Sequence, residues 1–147
     1  MKDKLYNFCT SYVNDRIARI QKNISGIQES LISETKSSAG DKHETGRAML
    51  QLEREKLGNQ LAEAEKMKKL LSKVNIKNKY IIAGLGSLVY TTKSNYFIGI
   101  SAGEFKNKEN QAYCISPHTP IGKLLAGKKA GEIVVFNGQE IVINRVK

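Results

Sequence analysis

Tryptophan is missing from this chain, and only two prolines, two cysteines and two histidines are spread over its 147 residues. Neither proline precedes residue 117, so nothing before that point obliges a helix to kink or stop for want of a backbone N–H. Cys9 and Cys114 lie in regions of different character and match no metal-binding spacing. Without secretory features they read as free thiols rather than a disulfide. His43 and His118 are far apart, with no spaced cysteine pair beside them, which gives no intrinsic zinc site. No window approaches about 18 consecutive apolar residues, so no membrane span is expected. The opening MKDKLYNFCTSY has neither the apolar stretch nor the small-residue cleavage site of a secretory signal, and the expected location is the cytoplasm. A Ser/His/Asp set, a Gly-rich phosphate loop and an acidic cluster are missing too, so the sequence offers no active site of its own and reads as a non-enzyme.

Acid is scarce in one half. Residues 1–74 hold 14 Lys+Arg against 10 Asp+Glu, and residues 75–147 hold 10 against 4, within a net charge of +10. Such a balance points to a polyanionic partner, either nucleic acid or an acidic protein surface, with a merely soluble basic surface as the alternative. Hydrophobic residues make up 40% and charged residues 26%, enough to fold, though with a modest core if the length is divided.

The first half has the period of a helix. Val13, Ile17, Ile20, Ile24, Ile27 and Leu31 recur at steps of four and three, an a/d seam that Tyr6 and Cys9 extend toward the N-terminus. A second seam follows in Leu50, Leu57, Leu61, Ala64 and Leu71, interrupted by Arg54 and Lys68. The two mirror each other: Ile27 with Leu50, Ile20 with Leu57, Val13 with Ala64 and Tyr6 with Leu71 share one constant sum of residue numbers. An antiparallel pair of helices requires such a constant. It sets the turn near residues 38–39, within the breaker-rich Thr35-Lys36-Ser37-Ser38-Ala39-Gly40. Arms of roughly 30 residues give a coiled-coil finger on the order of 45 Å long.

The second half reads in short segments rich in β-branched and aromatic residues: 86–92, 96–101, 112–115, 133–136 and 140–146. Asn137-Gly138 marks a tight hairpin between the last two, because both central residues of a type I′ turn need positive φ. Between the third and fourth segments, Thr119 as N-cap, Pro120 at N1 and Gly127 near C′ bracket a short helix. The expected fold class is α+β: an antiparallel helical hairpin over residues 1–74 with its tip near 35–46, then a small β-rich domain with one short helix over 75–147.

The C-terminal residues carry a resemblance. ISPHTPIGKLLAGKKAGEIVVF, residues 115–136, resembles without a gap the stretch before the last hairpin of the GreA/GreB transcript cleavage factors. The matching positions are Ser116, Pro120, Ile121, Leu125, Gly127, Lys128, Gly131 and Glu132. GSLVYTTKSNYFIGI, upstream, is similar to that family's first two C-terminal strands. The resemblance implies an FKBP-like domain that docks on RNA polymerase at the rim of its secondary channel while the finger passes down the channel. Ser116, Pro120, Ile121, Lys123, Lys128 and Lys129 are the docking candidates on this reading, their alternative being a solvated face. The tip would lend two carboxylates near the polymerase's own magnesium, helping to hold a second magnesium and orient the water that cleaves backtracked RNA. The cofactor would thus belong to the polymerase, with none intrinsic to this chain. The transcript would be met only through the polymerase, and a self-paired hairpin implies a monomer.

Asp41 and Glu44, in Gly40-Asp41-Lys42-His43-Glu44, are the candidate carboxylates. The same spacing is a capping box opening the second helix, which needs no metal, and both readings stay open. The chain departs from the family pattern in reading Thr45-Gly46-Arg47-Ala48 where an Asn-Ala-Glu-Tyr-like run is common. Lys36, Lys42 and Arg47 set three positive charges beside two negative ones, and His43 replaces a small hydroxyl residue. These cations would compete with magnesium for the carboxylates, which makes a non-cleaving occupant of the channel the alternative function. RNA contact through Arg47 or Lys42 is a further expectation. A peptidyl-prolyl isomerase, suggested by the docking fold alone, is disfavoured by the missing Trp and scarce aromatics. A coiled-coil adaptor would form a stable dimer.

Overall fold

A computed structural model describes residues 1–36 and 41–147, with side chains described for 1–34 and 44–147. The chain is α+β. Two long helices, α1 (Lys2–Lys36) and α2 (Asp41–Ser72), precede six strands: β1 (Leu88–Thr91), β2 (Asn95–Ile98), β3 (Gly103–Lys106), β4 (Gln111–Ile115), β5 (Ile133–Phe136) and β6 (Gln139–Val146). A short helix, α3 (Pro120–Leu125), lies between β4 and β5. The chain divides into two compact units, Val13–Met67 and the combination of Met1–Tyr12 with Lys68–Lys147.

In the first unit the two helical segments bury one seam. Ile20, Ile24, Leu57 and Ala64 form its core, with Ile17, Ile27 and Leu61 packed partly against it. Ile20 and Leu57 are one of the mirror pairs, and nearer the tip Arg47 Nη1 donates to the Leu31 carbonyl at 3.3 Å, one residue off the same register. The expected antiparallel pairing is therefore the observed one. A seam this narrow follows from the charged residues on every other face.

The second unit is a mixed sheet of order β3-β4-β2-β1-β6-β5. All neighbours are antiparallel except β2 with β4. Strand alternation sorts its side chains onto two faces. On one, Val89, Tyr96, Ile98, Ile115 and Ile143 are buried together with Ile121 and Leu125 of α3. On the other, Leu88, Phe97 and Cys114 line up across β1, β2 and β4 through the pairs Leu88↔Phe97 and Phe97↔Cys114. This second row is covered by the first turns of α1 and the end of α2. Leu5, Cys9, Leu71 and Val74 are buried, the Phe8 and Phe105 rings meet edge to face at 5.5 Å, and the Cys9 and Cys114 side chains are neighbours. Both cysteines are free. Cys9 beside it and burial push the Cys114 thiol up, while Cys114 in turn holds the Cys9 thiol below its ordinary value.

Two local expectations recur in detail. Asn137 and Gly138 both have positive φ, 53° and 75°, closing the β5–β6 hairpin. Thr119 caps α3, its hydroxyl accepting from Gly122 N at 3.2 Å, with Pro120 in the first turn. Gly127 at φ 79° ends the helix. The structure adds one strand to the five read from sequence. β3 holds a glycine and two charged residues and is largely exposed, so at a sheet edge it shows neither apolar alternation nor a β-branched run.

Candidate functional site

The tip candidates fall on the opening turn of α2, which begins at Asp41. Glu44 is exposed. The side chains of Asp41, Lys36, Lys42 and His43 lie outside the described residues, as does the turn at 37–40. Arg47, an RNA-contact candidate, reaches across to the α1 backbone at Leu31. Glu34, outside the tip motif, belongs to the same end of the hairpin. Its carboxyl group lies beside Gly46, where an added Cβ would sit 3.6 Å from Glu34 Cδ. The mirror relation sets position 34 opposite position 43 rather than Gly46, so residue numbers alone do not place this carboxyl group. Glu34 therefore brings a carboxylate to the level of the hairpin at which Arg47 supplies a cation. Among the described residues no group of three or more His, Cys, Asp or Glu side chains is placed to hold a metal ion.

The docking candidates gather around α3. Ser116 organises the approach to the helix: its carbonyl accepts from Thr119 N at 3.2 Å and from Thr119 Oγ1 at 2.7 Å. Its hydroxyl accepts from His118 N at 3.1 Å, and its own N–H donates to Ser101 Oγ at 3.2 Å. Pro120, Lys123 and Lys129 are exposed, Ser116 and Lys128 half-buried. Ile121 turns inward and joins Leu125 in the core, so it anchors α3 to the sheet. Past the helix, Gly127 N donates to the Ala83 carbonyl at 2.9 Å and Ala83 N to the Lys128 carbonyl at 2.7 Å. Lys129 N donates to Glu132 Oε2 at 2.7 Å.

These backbone bonds bring a further feature to the same region. Ile82 bridges Lys129, and Ile81 and Ile82 are 81% and 53% exposed. Ile133 and Val135 on the edge strand β5 are both 57% exposed. Ile82 beside Lys129, and the exposed Ile133 and Val135 of β5, give the sheet unit apolar surface of the kind that protein interfaces use. The paired Ile81-Ile82, beyond the end of α2, is a run too short to read as an element.

The fold and these two regions define an α+β protein with a paired-helix unit that carries Glu34 and Glu44 and a sheet unit with a basic, partly apolar surface. No protein-family model and no curated protein sequence matches the chain. A solved structure of the transcription factor Gfh1 is similar over 89% of this chain and 92% of that one, at 19% sequence identity and a TM-score of 0.35. No helix among the described residues is long and apolar enough to cross a membrane.

Proposed function

We propose that this chain is a regulator of RNA polymerase that works as Gre-type factors do. The sheet unit docks at the rim of the secondary channel, and the paired helices enter it to stimulate cleavage of backtracked RNA. The observation that carries this reading is a helical hairpin whose second helix opens on Asp41 with an exposed Glu44 three residues on. It stands in a chain whose residues 115–136 resemble the Gre docking segment. The chain acts without an active site of its own: the polymerase supplies the catalytic magnesium, and the tip carboxylates help hold a second ion and the attacking water. RNA is met only inside the polymerase.

A second reading, occupation of the channel without cleavage, is favoured by Lys36, Lys42 and Arg47 beside Asp41 and Glu44. Glu34 at the level of Gly46 weakens that objection, because it adds a negative charge to the same end of the hairpin. Both readings share the docking step, which is tested by titrating fluorescently labelled chain with purified core polymerase. Saturable binding is expected. Lys123→Glu/Lys129→Glu, which reverses two exposed charges without touching the core, weakens it by about tenfold or more, since like charges set against an acidic surface are repelled. Absence of saturable binding by the wild-type chain contradicts both readings.

A further inference from the structure

Three stretches distant in sequence converge on one cleft of the sheet unit: Lys2 in the first turn of α1, residues 76–80 after α2, and residues 145–147 at the end of β6. The cleft has a volume of ≈ 460 Å³, within the range of small-molecule sites. Lys2, Lys77, Lys79, Arg145 and Lys147 line it, and no acidic side chain does. The hairpin unit's groove shows the contrast, balancing Arg16 and Lys56 with Glu55 and Glu63. Among the described residues, none of the cleft's five cations has a carboxylate within ion-pair distance.

The cleft is built rather than fortuitous. Lys2 is half-buried, its Nζ donating to the Asn78 carbonyl at 3.1 Å and lying 4.5 Å from the centre of the Tyr80 ring. Tyr80 is seated in turn against Gly86, where an added Cβ would come within 2.9 Å of the Tyr80 hydroxyl. Gly86 also has φ 91°, so no side chain is accommodated there. Burial, and then the charge of Lys147, hold the Lys2 ammonium below its ordinary value. Like charges crowded at a half-buried point raise the free energy of the empty cleft, and an anion relieves that cost.

We propose that this cleft binds a ligand carrying two or more linked phosphates. Five cations around a concave space exceed what one phosphate can engage, and their convergence suits a compact polyanion better than a nucleic-acid strand, which asks for an extended groove. The site uses neither the tip nor the α3 surface, so it stands or falls apart from the function proposed above.

Calorimetric titration of the full chain with inorganic tripolyphosphate, at low salt and again at moderate salt, tests it. One-to-one binding is expected, weakening as salt rises. Lys79→Glu, at an exposed position with no described contact, lowers affinity by about tenfold or more. Lys2→Gln does likewise, with its folding checked by circular dichroism. Lys106→Gln/Lys108→Gln, exposed near β3 on the far edge of the sheet, leaves binding unchanged. A nucleoside triphosphate that binds more tightly than tripolyphosphate assigns a nucleotide as the source of the phosphates, and equal affinity assigns a free polyphosphate. The proposal is overturned by absence of tripolyphosphate binding or by equal loss in the Lys106/Lys108 variant. Tighter, Lys79-dependent binding of single-stranded RNA would also overturn it.

Discussion

Phe97→Ala should cost the protein about 3–5 kcal/mol, the range for deleting a buried aromatic ring. The ring is fully buried and lies between Leu88 and Cys114 in the row across β1, β2 and β4. It also faces the helices: at Gly99 an added Cβ would lie 3.5 Å from the Phe97 ring and 3.9 Å from both Leu71 and Val74. Phe97 thus stands where the sheet meets the end of α2. Removing it leaves a cavity bounded by a sheet and a helix, neither of which can collapse without moving the other. Small domains are stable by only about 5–15 kcal/mol, so the loss is a large fraction of the whole. Urea denaturation followed by far-ultraviolet circular dichroism measures it. A loss under about 1 kcal/mol would mean that this face is not a packed core.

Gly122→Ala should also destabilise, against the direction helix propensity alone would give. Alanine in place of glycine favours a helix by about 1 kcal/mol. Here, however, the new Cβ would collide with the Ser116 carbonyl oxygen, with Thr119 Oγ1 at 2.9 Å and Pro117 Cα at 3.1 Å. The Ser116 carbonyl cannot swing aside freely, because it holds both the N–H and the hydroxyl of Thr119. Overpacking of this kind costs about 1–3 kcal/mol, which outweighs the propensity gain. The same urea titration gives the sign: a lower midpoint is expected, and a higher one would contradict the close approach. If the proposed docking through Lys123, Lys128 and Lys129 holds, the variant also binds polymerase less tightly.

Much of the architecture was legible because it rests on local periodicity. The mirrored seams contain their own register, so Ile20 opposite Leu57 followed from residue numbers alone. Thr119, Pro120, Gly127 and Asn137-Gly138 each serve a backbone conformation that few other residues allow. Where the sequence was silent, the reason is tertiary. A heptad step shows that a helix face is buried but not what buries it. Cys9 fitted the coiled-coil seam, yet its thiol meets Cys114 on the sheet. Leu5, fully buried, lay off the seam that Tyr6 continued. β3 gave no signal, because an exposed edge strand needs no apolar face. The basic cleft was invisible for the plainest reason: residues 2, 76–80 and 145–147 share no local pattern, and only folding brings them together. At the tip, sequence supplied Asp41 and Glu44 but not Glu34, whose place depends on which residue of one arm lies across from which residue of the other.

The central claim, that the tip acts inside RNA polymerase on backtracked RNA, is tested most directly by transcript cleavage. A backtracked elongation complex with magnesium present receives the wild-type chain or Asp41→Ala/Glu44→Ala. Rapid shortening of the RNA is expected with the wild-type chain and its loss with the variant, while both bind the polymerase equally well. If the wild-type chain binds the complex and the RNA stays uncut, the cleavage account is contradicted. Asp41 and Glu44 are then the capping box of α2, in a chain that occupies the channel without cutting.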